Sequence, residues 1–295
     1  MDGDKRPLSA SQLTAYTMCP RKYRFRYVDR LPSEHRPAAL AFGRAVHSAL
    51  EALHLARLDG ASVDSARLVR IFRADWQAEV DQGLSYKTDE SANMLRWYGE
   101  HLVAEYAKWL ADRPLVAAEQ PFEIDLVDPE TGEVYDERIR GYFDVIFRAE
   151  GADVIGEVKT LARRYDEGTL ARKIQLSAYA YAWRQMRGRD PTILVVELLK
   201  QRQPQVVEAT AERSTEDDAF FVRLALDVAD AIDAGAFPPN PGWSCGDCEY
   251  AKACRRFRGA PALCGADVPP RVGDMVPVGA FLSRVMANAE SSAAP

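Results

Sequence analysis

Acidic residues stand in the middle of two segments that have the composition of β-strands, where Asp and Glu are disfavoured. The stretch GYFDVIFRAEGADVIGEVKT carries Asp144 in the first segment and Glu157 in the second. If residues 149–152 form a four-residue hairpin loop, Arg148 pairs with Asp153, and the register places Asp144 directly opposite Glu157. The Cβ atoms of opposed residues lie about 4.5–5.5 Å apart, so two negative charges there require a positive partner.

A divalent cation is the simplest partner, because carboxylate oxygens are suitable ligands for Mg²⁺ and Mn²⁺. Side chains alternate along a strand, so Lys159 shares a face with Glu157 and adds a positive charge to the same cluster. The alternative is a solvated strand face on which Lys159 pairs with one of the acids. The neighbouring VIFR and DVIG segments are hydrophobic, as in a buried strand, and favour the metal site.

A tyrosine-rich helical segment, KIQLSAYAYAW, follows the two strands. Gln175 and Tyr179 are four residues apart and therefore lie on one face of the helix, with Arg172 and Trp183 close to that stripe. Gln and Tyr can contact phosphate or sugar, and Tyr can stack on a base. The alternative is an amphipathic helix that packs its tyrosines on the sheet.

The five cysteines include three with the close spacing that metal or cluster ligation requires. Cys245, Cys248 and Cys254 form a C-x2-C-x5-C pattern, which leaves a fourth ligand to be found. Cys19 lies far away in the sequence, within CPRKYRFRY. Zn²⁺ binding and free buried cysteines are the alternatives to an iron–sulfur cluster, and Cys264 has no predicted role.

The elements that must position these residues begin with a helix whose N-cap is Ser9, with Gln12 completing a capping box. Helical periodicity predicts further helices over residues 38–58, 63–80, 89–111, 169–186 and 215–234. Strand patterns lie at PFEIDLV, VYDERIRGYFDVIF, DVIGEVK, TILVVELL and QVVEA. This order predicts an α/β or α+β core with a helical insertion in front of it. The predicted divisions are 1–36, 37–114, 115–236, 237–260 and a tail at 261–295.

The motifs GYFD, GEVKT and QLSAY, in this order, resemble the catalytic core of the RecB-type branch of the PD-(D/E)XK nucleases. Upstream, GRAVHSALE resembles the G-x-x-x-H-x-x-L-E element of the same family. The resemblance implies a restriction-endonuclease-like mixed central sheet flanked by helices. It also implies a metal site made of His47, Asp144, Glu157 and the backbone carbonyl of Val158, with Lys159 as a catalytic residue.

The segments around the cysteines resemble the iron–sulfur subgroup of this family, which includes the AddB-type repair nucleases and the CRISPR-associated adaptation nucleases. The resemblance implies a [4Fe–4S] cluster held by Cys19, Cys245, Cys248 and Cys254. Ligands so far apart in sequence restrict the unfolded chain strongly, so the cluster is expected to act as a structural staple between the chain ends.

Two basic segments adjoin these cysteines. One carries Arg21, Lys22 and Arg24, and the other carries Arg255 and Arg256. If one cluster joins the chain ends, these segments become neighbours and form a positive ridge that guides single-stranded DNA to the metal site. The alternative is ordinary solvated charge. Together with the helix residues above, the predicted DNA contacts are Gln175, Tyr179, Arg21, Lys22, Arg24, Arg172, Arg255 and Arg256.

The whole chain is consistent with these local signals. Its 295 residues are 47% hydrophobic, and its net charge of −6 argues against a globally basic nucleic-acid binder. No apolar run is long enough to cross a membrane, and the N-terminus lacks a secretory signal, so we expect a cytoplasmic protein without membrane contact.

The predicted activity is that of a metal-dependent DNA exonuclease acting on single strands or ends in DNA repair, recombination or CRISPR adaptation. The rival functions are a non-catalytic nuclease-fold subunit that binds DNA or a partner, and a metal-stapled interaction protein. The chain has no G-x-x-x-x-G-K-[ST] stretch, so a helicase or a CRISPR-adaptation protein is expected only as a separate partner.

Overall fold

A computed structural model describes residues 6–257, so Cys264 and the predicted tail at 261–295 lie outside the described residues. Its centre is a mixed sheet of six strands, in the order β1-β3-β4-β5-β6 with β2 on the other edge of β3. The strands are β1 (Leu8–Ser9), β2 (Leu115–Val127), β3 (Val134–Ala149), β4 (Ala152–Leu161), β5 (Thr192–Leu199) and β6 (Gln205–Ala211). The predicted mixed central sheet is confirmed.

Strand β3 organises the sheet because it has three partners. It pairs antiparallel with β2 along most of its length. On its other edge it pairs first with β1, in parallel at Ile139, and then with β4, antiparallel from Val145 onward. Beyond β4 the sheet continues with a parallel β5 and an antiparallel β6. Strands β3 and β4 are therefore in contact only near their shared turn.

That turn is shorter than predicted. Ala149 pairs with Ala152, so the predicted four-residue loop is wrong and only Glu150 and Gly151 remain unpaired. Both adopt positive φ angles, 50° and 81°, as the two central residues of the tightest hairpin turns require. The predicted pairing of Arg148 with Asp153 is confirmed, and it continues up to Val145 opposite Gly156.

Helices cover both faces of the sheet. Their bounds are α1 (Ala10–Met18), α2 (Pro20–Tyr23), α3 (Ala38–Leu58), α4 (Ser65–Asp81), α5 (Ala92–Leu110), α6 (Glu167–Ala171), α7 (Ile174–Arg187), α8 (Thr215–Asp233) and α9 (Ala251–Phe257), with a π-helical turn at Arg24–Val28. One core joins α3, α4 and α5 to the sheet side chains of Val158 and Val196. The other joins α1, α7 and α8 to Phe143 and Ile155. The predicted helical insertion thus forms one covering layer of the sheet.

The N-terminal capping box of α1 is confirmed. Ser9 accepts a hydrogen bond from the backbone of Gln12, and the Gln12 side chain accepts one from the backbone N–H of Ser9. This reciprocal bonding satisfies two of the unpaired N–H groups of the first turn. It fixes the start of α1 directly after β1, beside the central strand.

The predicted single helix over residues 169–186 is wrong, because the chain breaks between α6 and α7. Lys173 has an extended backbone, and the guanidinium of Arg213 binds the carbonyls of Leu170 and Lys173. The bond to the Leu170 carbonyl takes the place of the i+4 bond that a continuous helix would make there. The break leaves Arg172 and Lys173 in a connection that faces the predicted site.

Helices α4 and α5 approach closely because of one glycine. A side chain at Gly99 would overlap the ring of Phe72, which lies on the facing helix.

Among the helices described above, none combines the length and the apolarity that crossing a bilayer requires.

Candidate active site

The candidate site lies where β3 and β4 separate. Their ladder ends at Val145 and Gly156, one residue before the predicted pair of Asp144 and Glu157. The backbone N–H of Val158 donates instead to Oδ2 of Asp144, at 3.0 Å. A carboxylate thus takes a hydrogen bond that a partner strand would otherwise accept, and this holds Asp144 against β4.

Helix α7 connects the acidic and basic groups of the site through one amide. The Gln175 side chain accepts a hydrogen bond from Nζ of Lys159 at 3.0 Å and donates to Oε2 of Glu157 at 3.0 Å. It also donates to the hydroxyl of Tyr179 at 3.1 Å, and that hydroxyl reaches Oδ1 of Asp144 at 3.5 Å. The predicted shared face of Gln175 and Tyr179 is confirmed, and both side chains hold other residues of the site in place.

The two carboxylates repel each other in a buried environment. Burial raises the pKa of Asp144 well above its usual value, and the charge of Glu157 raises it further, while Lys159 and the Val158 N–H act in the opposite direction. Glu157 is only 1% exposed. Among residues 6–257, its Oε1 is contacted by the Lys159 ammonium and by no other hydrogen-bond donor. Two anions in this position require a strong positive partner.

Lys159 forms an ion pair with Oε1 of Glu157. Burial of the ammonium group acts to lower the pKa of Lys159, but the charges of Glu157 and Asp144 outweigh this effect, and the pKa is raised. Lys159 is therefore a cation at neutral pH. It can donate hydrogen bonds and stabilise negative charge, but it is a poor general base.

Helix α3 packs on the face of the sheet opposite to α7. His47 approaches strand β4 from this helix. Burial lowers the pKa of His47, and the nearby charge of Lys159 lowers it further, whereas Glu157 and a hydrogen bond to the Val158 backbone raise it. Because the net pKa is below its ordinary value, the imidazole is neutral at neutral pH. A neutral imidazole has the free lone pair that a metal ligand needs.

These groups suit a divalent cation by their chemistry. The two carboxylates and the backbone carbonyl offer the oxygen ligands that Mg²⁺ and Mn²⁺ prefer, and the neutral imidazole offers one nitrogen ligand. Within residues 6–257, no three His, Cys, Asp or Glu side chains lie close enough together to hold a metal ion as they stand. At this site, the Lys159 ammonium contacts the buried Oε1 of Glu157, the atom that a cation would approach.

The four cysteines outside the tail line a single cavity of about 240 Å³. Within residues 6–257, no disulfide joins any two of these four cysteines. The backbone N–H groups of Asn240 and Gly242 point at Sγ of Cys19 and of Cys245, at 3.5 and 3.4 Å. Such N–H···S bonds favour the thiolate forms that a cluster needs. Cys19 thus lines the same cavity as Cys245, Cys248 and Cys254. Within residues 6–257 no three of these thiols lie close enough together to hold a metal ion as they stand, and their ligand role remains a proposal.

The model of the PD-(D/E)XK nuclease superfamily matches residues 7–255, which is most of the chain. This chain belongs to the PD-(D/E)XK nuclease superfamily. The match includes the candidate active site and all four of the cysteines that share the cavity.

Two individual proteins resemble this superfamily member along most of its length. The gene 69 protein of Mycobacterium phage L5 is 25% identical over 300 residues, which cover 85% of this chain and 96% of the phage protein. A crystal structure from Eubacterium rectale, named as that of a "Putative exonuclease", matches with a TM-score of 0.53 at 13% identity. That match covers 89% of this chain and 91% of the other, and it shows a common fold.

Among the predicted basic contacts within residues 6–257 of this PD-(D/E)XK chain, not every side chain faces solvent. Arg21 is 7% exposed, its Nε donates to the Phe237 carbonyl, and its guanidinium stacks on the Phe257 ring at 3.7 Å. Its predicted contact with DNA is therefore corrected to a packing role. Lys22 and Arg24 form ion pairs with Glu249 and Asp29, and they remain partly exposed.

Other predicted contacts are accessible. Arg172, Arg255 and Arg256 are exposed, and Arg255 also lines the cysteine cavity. The two basic segments are neighbours as predicted, since Arg21 of the first stacks on Phe257 of α9. Tyr179 is 2% exposed, so base stacking by this ring is excluded and its hydroxyl serves the site instead.

Glu119 is a neighbour of the site that no sequence motif indicates. Its flanking residues on β2 pair with Val145 and Phe143, so Glu119 lies beside Asp144 and adds to the rise of its pKa. Glu119 has a positive φ of 45°, which is unusual for a residue other than glycine. Its own pKa is raised by burial and by the charges of Glu51 and Glu157. Only the β2–β3 register reveals this position, and the sequence alone does not fix that register.

Proposed function

We propose that this protein is a metal-dependent DNA exonuclease that hydrolyses phosphodiester bonds of single strands or DNA ends. The observation that carries the proposal is the bonded group of Asp144, Glu157, Lys159 and Gln175, approached by His47, in a chain of the PD-(D/E)XK nuclease superfamily. Its setting is proposed to be DNA repair, recombination or CRISPR adaptation, with a helicase or a CRISPR-adaptation protein as a separate partner.

His47, Asp144, Glu157 and the Val158 carbonyl are the proposed ligands of Mg²⁺ or Mn²⁺. When bound, the ion supplies Lewis-acid polarisation of the scissile phosphate and makes a water molecule more acidic. The residues of the chain supply the geometry. The Val158 N–H and the Tyr179 hydroxyl hold the two oxygens of Asp144, and Gln175 holds Glu157.

Lys159 stabilises the negative charge that develops on the phosphate as water displaces the sugar oxygen from phosphorus. Its raised pKa supports this role, because a permanent ammonium donates hydrogen bonds without first gaining a proton. The amide oxygen of Gln175 orients the ammonium group. Gln175 therefore positions both the Glu157 carboxylate and the Lys159 ammonium group.

The cysteine cavity is proposed to hold a structural [4Fe–4S] cluster bound by Cys19, Cys245, Cys248 and Cys254. Two observations support this role: the four thiols line one cavity, and backbone N–H groups point at two of the sulfurs. The cluster would tie the first helix of the chain to the segment around α9. The supporting charge comes from Arg21, which lies near Cys19 and Cys254.

Digestion of DNA labelled at either end tests the proposal, with linear single strands, blunt duplexes and circular single strands as parallel substrates in Mg²⁺ and in Mn²⁺. We expect linear DNA to yield mononucleotides or short products. The circular single strands should remain intact. Cleavage of circles would replace the exonuclease proposal with an endonuclease. Protein with full metal occupancy that degrades none of the three substrates would refute the nuclease proposal.

A further inference from the structure

A tryptophan near the cysteine cavity is almost fully solvent-exposed. Trp243 is 90% exposed, more than any other large hydrophobic residue in the described part of the chain. It begins a short 3-10 turn that ends at Cys245. Tryptophan is enriched at binding interfaces relative to the rest of the protein surface, because its indole joins a large apolar face to a polar N–H group.

Trp243 lies on a groove that also contains catalytic residues. The groove encloses about 590 Å³, and its walls include Lys159 and Gln175 of the active site together with Trp243 and Ser244. Arg172 and Lys173, from the break between α6 and α7, also line the groove and contribute positive charge to it. Hydroxyl groups from Thr14 and Thr17 of α1 complete the polar lining. A chain with negative charges and exposed aromatic faces fits this surface.

The turn that carries Trp243 is held from several sides. The Cys245 N–H donates to the Gly242 carbonyl at 3.0 Å, and the Gly242 N–H donates to the Cys245 sulfur at 3.4 Å. The Asn240 side chain binds the carbonyl of Met18 at 2.9 Å, which ties this segment to the end of α1. The indole ring is therefore presented on an anchored backbone, and little conformational entropy is lost when a flat partner stacks on it.

We propose that Trp243 stacks on an unpaired nucleobase of the DNA strand that occupies this groove, and so selects single-stranded ends over intact duplex. This inference rests on the proposed nuclease function and specifies its substrate. Bases inside a duplex are stacked on both faces, whereas an unpaired base can present a free face to an indole. The positive charge at Arg172 and Lys173 favours a phosphate-bearing partner over an uncharged one.

Fluorescence anisotropy of a labelled oligothymidylate, measured in EDTA so that no cleavage occurs, tests the proposal. Trp243→Ala is expected to weaken binding of the single strand by about 5- to 150-fold, the range found for the loss of one base–aromatic stack. Trp243→Phe should retain most of the affinity. Binding of a blunt duplex of equal length should change less than binding of the single strand.

Two matched controls remove exposed aromatic rings outside the groove. Phe220→Ala on α8 and Trp97→Ala on α5 replace side chains that are 70% and 42% exposed. Both should leave the affinity for single strands unchanged. Equal affinity of wild type and Trp243→Ala for the oligothymidylate would overturn the inference, as would a wild type that does not bind it. Binding without cleavage after metal is added would overturn only the proposed activity.

Discussion

Replacing Asp144 with Asn is expected to stabilise the metal-free protein while removing its response to metal. Asn keeps the shape of Asp and can still accept the hydrogen bond from the Val158 N–H. What it removes is the charge repulsion with the buried Glu157, which contributes to the raised pKa of Asp144. The substitution thus separates the electrostatic role of the residue from its structural one.

The expected gain follows from the charge repulsion between the carboxylates of Asp144 and Glu157. Two unit charges about 5 Å apart repel by about 3 kcal/mol at an effective dielectric constant of about 20. Lys159 offsets part of this repulsion, because its ammonium attracts both carboxylates. We therefore expect Asp144→Asn to raise the free energy of unfolding by about 1–2 kcal/mol at neutral pH in excess EDTA.

The effect of pH has a definite sign. Because the pKa of Asp144 is raised in the folded state, the folded protein binds a proton more readily than the unfolded chain. The carboxyl group therefore destabilises the fold once the pH rises through its folded pKa, and this penalty disappears below the unfolded pKa of about 3.9. The advantage of the Asn variant should be largest near neutral pH and should shrink toward pH values of about 4.

Metal should reverse the order of stability. A divalent ion at a hundred times its Kd stabilises the wild type by about 2.7 kcal/mol, and the variant, lacking one ligand, should gain little. Urea unfolding in EDTA and in excess Mn²⁺ measures both effects. Asp153→Asn is the matched control on the same hairpin, and it should keep the full metal response because Asp153 pairs with Arg148 and Arg189 outside the site. An Asp144→Asn variant that is less stable in EDTA, or that gains as much from Mn²⁺ as the wild type, would refute this reasoning.

Three further predictions concern the other groups. Lys159→Ala should lower kcat by about 10²- to 10³-fold in a DNA digestion assay while the stabilisation by Mn²⁺ persists, and normal turnover would contradict its role. Gln175→Ala should weaken activity or metal affinity by about 10- to 100-fold, because Gln175 holds its neighbours in place. Mn²⁺ titration measures this effect, and an unchanged titration curve would count against it. Cys19→Ser should lose iron and broad visible absorption after anaerobic purification, whereas Cys264→Ser should keep both, and a colourless, zinc-containing wild type would remove the cluster from the account.

Much of the site could be predicted because its residues lie close together along two strands. The hairpin register follows from the short turn, and it places Asp144 near Glu157 once Arg148 and Asp153 are paired. The helix α3, with His47 on it, follows from apolar periodicity and has the predicted bounds. The sequence pattern was sufficient to predict an element wherever residues close together in the chain determine its structure.

The remaining features depend on contacts between distant parts of the chain. The break before α7 depends on Arg213, which binds carbonyls some 40 residues earlier in the sequence. The burial of Arg21 depends on Phe257, at the opposite end of the described residues. Glu119 reaches Asp144 only through the pairing of β2 with β3. Charge and periodicity do not indicate these contacts. Arg21 was therefore predicted to be an exposed cation that contacts DNA.

The central claim is that one buried acidic pair with its lysine performs metal-dependent cleavage of DNA. It is tested most directly by the release of acid-soluble nucleotides from single-stranded DNA by wild type, Asp144→Asn and Asp153→Asn, purified identically and assayed with Mn²⁺ and with EDTA. Wild type and Asp153→Asn are expected to release nucleotides in Mn²⁺ only, and Asp144→Asn is expected to release none. Equal release by all three proteins, or release that persists in EDTA, would contradict it.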